Sequence, residues 1–113
     1  MVEATLDRQW DAFCAELALA RTVLSRPDAP RDTLSQAEGL RYLTRLTRAA
    51  LDSIVEAGDP DFPRLFQMSN ETIKIGGDNP DTAYWNATIA GNREYVIRGN
   101  RGAVPYLSFG TKA

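Results

Sequence analysis

Two groups of side chains in the second half of this sequence are of types that could do chemistry. Asp78, Asn79 and Asp81 place three oxygen-bearing groups in one short loop, the donor type that calcium and magnesium select. The spacing is not that of an EF-hand and too few ligands are evident, so no metal is assigned to the loop. The preferred reading is turn chemistry, in which Asp and Asn bond their own backbone. The second group is Tyr84, Asn86, Arg98 and Tyr106. If these four share one face of a sheet, the arginine fork could grip the carboxylate or phosphate of a small anionic ligand, while the tyrosines offer apolar surface and hydroxyls. Against this stands the simpler account that any half-exposed antiparallel sheet carries a polar face.

Much chemistry is excluded by what the chain lacks. It has no histidine, which removes Ser-His-Asp and Cys-His catalysis, imidazole acid/base work and His-ligated metals. Cys14 is the sole cysteine, so no internal disulfide can form, and its neighbours Phe13 and Leu17 suggest a small buried apolar residue. A net charge of -2 over 113 residues gives no footprint for nucleic acid or an anionic membrane. The charge is uneven, with 8 basic and 12 acidic residues up to Glu71 and 5 and 3 after it. Nothing calls for a cofactor. The first residues have neither a basic segment nor an apolar one and no run reaches membrane-spanning length, so the default location is the cytoplasm.

The elements expected to position these groups begin with a helix from about residue 5 to 25. Leu6, Trp10, Phe13, Leu17, Ala20 and Leu24 recur at spacings of four and three, a narrow stripe expected to pack inside its own domain. Pro27 ends it. Ser35-Gln-Ala-Glu38 matches a capping box, which starts a second helix running to Ala57, with Gly58 as its stop. Leu40, Leu43, Thr47, Ala50 and Ile54 form its expected inward face. Glu38, Arg41, Arg45, Arg48 and Asp52 lie opposite, as a solvated face laced with Glu38–Arg41 and Arg48–Asp52 pairs. The two helices are expected to form an antiparallel hairpin over residues 1–58.

Residues 59–71 read as an irregular connector in which Leu65 and Phe66 drop into the core. After it come β-prone runs at 72–75, 83–89, 95–98 and 103–109, separated by Gly- and Asn-containing turns, with Gly-Asn-Arg at both 91–93 and 99–101. Turn chemistry recurring at that interval predicts an antiparallel β meander over 72–113. One face would gather Trp85, Ile89, Tyr95, Ile97, Leu107 and Phe109 as a core. Pro105 suggests that the last strand is an edge or carries a bulge. Gly99 to Gly102 is a turn and not a phosphate loop, since no helix follows it. The fold class expected is therefore α+β, a helix pair packed on a meander as one domain.

Between residues 35 and 111 the chain resembles a known family. Glu38 to Leu46, Asp59-Pro-Asp-Phe-Pro63, Lys74-Ile-Gly-Gly-Asp-Asn-Pro-Asp81 with Tyr84, and Tyr95, Arg98-Gly99, Arg101-Gly102 and Tyr106 to Thr111 look like the leading part of the bacterial domain-of-unknown-function 1214 family. The resemblance implies a longer protein in which helices lead into a jelly-roll-like β sandwich, with no settled activity and no catalytic residue to carry over. Thr82 departs from it, standing where a second asparagine is common.

A terminal strand ending at Phe109 would leave an open sheet edge, and such edges recruit other chains. The expected role is accordingly a structural or interaction module completed by self-association or by a partner chain. A domain binding a small anionic ligand through Tyr84, Asn86, Arg98 and Tyr106 is the alternative. An enzyme using Asp78, Asp81 or a tyrosine as acid/base is the third reading.

Overall fold

The computed structural model describes residues 2–76 and 79–112. Its regular elements are all helical: α1 at Val2–Ala20, a 3₁₀ turn at Arg21–Ser25, α2 at Thr33–Leu51 and a π turn at Asp52–Glu56. Among the described residues no β-strand forms. A single antiparallel bridge joins Phe66 to Asn86 through reciprocal bonds of 2.9 Å. The expected α+β fold with its meander is thus corrected, and with it the jelly-roll-like sheet. The runs at 83–89, 95–98 and 103–109 are extended in places but make no ladder with one another, and Thr72 and Ile73, expected in a first strand, close a tight turn instead.

Helix α1 and its 3₁₀ extension end where proline forces them to, with Arg26 already extended at ψ 151° before Pro27. The start of α2 corrects the capping-box reading. Asp32, three residues before Ser35, is the N-cap, and its carboxylate accepts from the Ser35 N–H at 2.9 Å. That bond and the Ser35 hydroxyl hold the Asp32 carboxyl below its ordinary value of 3.8. A lowered folded-state value means that the cap acts in full above the unfolded value and fades as pH falls through the folded one. Asp32→Ala is therefore expected to lower helicity and thermal stability above pH 5, whereas Asp32→Asn keeps the cap and loses its acid sensitivity. Circular dichroism of both variants between pH 2 and 7 checks this.

The face of α2 that packs matches only in part the one its leucines suggest. Ala49, Ser53 and Ala57 are buried, and Gly39, Leu43, Leu46 and Thr47 are partly so, while Leu40 and Ile54 are 51% and 73% exposed. The packed face is thus shifted from the expected one toward smaller residues. Arg48, Ala49 and Asp52 line a cleft of about 320 Å³ together with Arg64, Phe66, Asn70 and Ile73, Ile73 is buried, and the Tyr42 hydroxyl donates to the Lys74 carbonyl. At the other end Leu24 seats its methyl over Gly39, 2.6 Å from where a β-carbon would be. Gln36 Nε2 donates to the carbonyls of Leu24 and Pro30.

The expected helix hairpin is splayed. It is the 3₁₀ turn, rather than α1, that packs on α2, and Leu6, Trp10 and Leu17 stand 59%, 65% and 42% exposed. Trp10 and Phe13 touch each other, with ring centroids 5.8 Å apart. Cys14, expected to be buried, is exposed. The meander's expected core is open too: Trp85, Ile89, Ile97, Leu107 and Phe109 are all exposed, as are Val96 and Tyr106 of the opposite face. Leu65 is exposed and Phe66 half-buried. The radius of gyration is 18.2 Å, against about 13 Å for a compact domain of this length. The accessible surface is 9926 Å², against about 6,200 Å² for a folded monomer of this mass.

Candidate functional site

The loop at 79–82 is held by its own asparagine. Asn79 Oδ1 accepts from the Asp81 N–H at 3.2 Å, and the Asn79 carbonyl accepts from the Thr82 N–H at 3.4 Å. This is the turn geometry that short Asn and Asp side chains favour. Asp78 lies outside the described residues, and among those described no three acidic or cysteine side chains come together as a metal site would require. Gly76, at φ +72°, adopts the left-handed conformation that glycine allows.

A second asparagine turn stands opposite. Asn70 Oδ1 accepts from the N–H and hydroxyl of Thr72, both at 2.9 Å, and from the Ile73 N–H at 3.1 Å. Asn70 and Ile73 also exchange backbone bonds of 2.8 and 3.2 Å. Between the two turns lies a mostly polar groove of about 690 Å³, which Gln67, Glu71, Thr72, Asn79, Thr82 and Tyr84 help to line. Tyr84 is fixed across it, its hydroxyl accepting from Asn79 Nδ2 at 3.0 Å.

Of the candidate ligand group, then, the structure brings Tyr84 to Asn79 and leaves the others elsewhere. Asn86 is engaged through its backbone in the bridge to Phe66. Arg98 and Tyr106 are exposed and line neither this groove nor the one beside α2. The shared sheet face that would have gathered Tyr84, Asn86, Arg98 and Tyr106 does not form, because the backbone that would carry it is unpaired.

Tyr95, read from the sequence as core, has a role of another kind. Its hydroxyl donates to the Pro60 carbonyl at 3.0 Å and accepts from the Ala90 N–H at 2.8 Å. Arg93 pairs with Asp61 alongside. Together they clip the 90–95 turn to the Asp59–Phe62 corner, which is itself closed by Asp59 accepting from the N–H groups of Asp61 and Phe62. The signal available in the sequence was the pairing of an acidic Pro-rich corner with a turn bearing arginine. From Val96 to Lys112, every hydrogen bond among the described residues stays within Asn100–Pro105: Arg101 donates to the carbonyls of Val104 and Pro105, and Asn100 accepts from the Gly102 N–H.

No described helix is long and apolar enough to cross a membrane. On the outer face of α2 the Glu38–Arg41 pair forms at 3.4 Å, with both side chains exposed, where such a pair contributes little. Arg48 and Asp52 make no ion pair.

No family model and no curated protein matches the chain. One solved structure does: over 73% of its length the chain is 48% identical to, and superposes with a TM-score of 0.67 on, part of an uncharacterised protein from Burkholderia cenocepacia, of which it spans 23%.

Proposed function

We propose that the chain is a structural and interaction module whose open surface is completed by other polypeptide. The observation that carries this is the accessible area of 9926 Å², about 3,700 Å² above that of a compact monomer of the same mass. Large hydrophobic side chains from Leu6 to Phe109 stand exposed along the chain, more than the scattered single residues that are ordinary on a monomer. No edge strand forms among the described residues to recruit a partner, so the open surface takes its place. Backbone from Val96 to Lys112 that bonds nothing outside its own turn remains available to a neighbour. The resemblance of residues 35–111 to the leading part of a longer bacterial protein family supports the same reading. A role in binding a small molecule draws on the Asn79–Tyr84 contact alone.

Small-angle scattering and sedimentation of the purified chain, from dilute to high concentration, test the proposal. The expected result is an extended particle at dilution, near 18.2 Å in radius of gyration, that binds an apolar dye and associates as concentration rises. A monomer that compacts to about 13 Å and ignores the dye overturns it.

A further inference from the structure

Two open surfaces dominate the molecule. One is the apolar groove of about 490 Å³ where Cys14, Leu17 and Ala20 face Leu40, Leu43 and Thr47. The other is the arm from Val96 to Lys112, with Val96, Ile97, Leu107 and Phe109 exposed. Resting on the module reading above, we propose that both are seats for one occupant, a polypeptide equivalent to the portion of the Burkholderia cenocepacia protein that lies outside the matched stretch.

Three observations point to this occupant. A sequence 48% identical follows the same path, at a TM-score of 0.67, inside a chain of which the match is only 23%. That crystallised protein thus carries more than three times as much polypeptide outside the match as within it, enough to cover both seats. Size agrees: the excess of about 3,700 Å² exceeds both the roughly 800 Å² per partner of an ordinary interface and the roughly 1,000–2,500 Å² per partner of permanent complexes, as an extensive occupant requires. Charge then specifies the occupant's chemistry. Val2–Ala20 carries four acidic residues and one basic, whereas residues 95–113 carry three basic and none acidic. The occupant offers an apolar ridge flanked by basic groups to α1. To the arm it offers backbone donors and acceptors flanked by carboxylates, a division that sets which of its faces meets which seat.

Amide hydrogen exchange on three samples tests the assignment: this chain alone, the intact Burkholderia protein, and this chain co-expressed with the remainder of that protein. The matched stretch is expected to exchange about a hundredfold or more slowly in the intact protein than in the lone chain. The co-expressed pieces are expected to copurify with the slow exchange restored, and Arg98→Glu with Arg101→Glu to weaken the complex at low salt. Equal exchange in the intact protein and the lone chain overturns the assignment, whether or not the co-expressed remainder folds. A dimer of this chain with groove and arm both protected also overturns it, naming a second copy as occupant while leaving the module reading in place. A compact lone monomer removes both.

Discussion

Replacing Gly58 with alanine is expected to unwind the end of the second helical segment, at a cost on the order of 1–3 kcal/mol. A β-carbon at this position would lie 2.0 Å from the Ile54 carbonyl oxygen and 2.9 Å from its carbon. Both are backbone atoms, so no side chain can rotate away and the chain itself must move. The structure yields at the π turn, where the Ala57 N–H donates to the Asp52 carbonyl at 3.0 Å. Exchange of the Ala57 amide should accelerate by roughly 5- to 150-fold, which is that free-energy range expressed as an opening equilibrium. Gly39→Ala is the informative contrast. There the new β-carbon meets only the tip of Leu24, which can turn aside, and the helix gains up to about 1 kcal/mol of propensity. Unchanged Ala57 exchange in Gly58→Ala, or a larger loss in Gly39→Ala, would contradict this account of the two glycines.

Tyr95→Phe is expected to release the 90–95 turn from the Asp59–Phe62 corner while leaving both helices intact. One hydroxyl satisfies two backbone groups, the Pro60 carbonyl and the Ala90 N–H, and the ring is half-buried. Loss of the pair costs about 1–2 kcal/mol, so the Ala90 amide should exchange roughly 5 to 30 times faster. Disruption of the neighbouring Arg93–Asp61 pair by Asp61→Asn should add less, because both side chains are about half exposed and the pair is screened by solvent. Tyr106→Phe serves as the control, since that phenol is exposed and bonds nothing among the described residues. An Ala90 amide that exchanges equally in the wild type and in Tyr95→Phe would show that the clip does not hold the turn.

How far the sequence can be read is uneven, and the unevenness has physical causes. The helices and the break at Pro27 follow from local rules that need no neighbour. The start of α2 offered two overlapping signals three residues apart. Asp32 prevailed over Ser35 because its carboxylate reaches the Ser35 N–H directly and so adds a turn to the helix. The packed face of α2 could be read only in part from hydrophobicity. Leu43 and Thr47 of the expected face are half-buried, but the fully buried positions are the small Ala49, Ser53 and Ala57, while the larger Leu40 and Ile54 are left to solvent. The β-prone runs were recognised as extended, but a strand is a relation between two segments, and propensity in Trp85 to Ile89 or Val104 to Phe109 names no neighbour. Among the described residues only Asn86 found one, in Phe66. In the candidate site the asparagine turn at 79 was legible from composition. The Asn79–Tyr84 contact and the Tyr95 clip were not, since both depend on where the intervening chain turns.

Pro105 has a consequence beyond its place in the last extended run. The Val104-to-Phe109 segment is apolar, open to solvent and identical in every molecule, which is the recipe for fibrils in which like segments stack on one another. An imino ring supplies no N–H, so the repeating ladder of such a stack would be missing one rung per molecule at this point. One residue thus acts as a gatekeeper, discouraging endless growth of the segment upon itself.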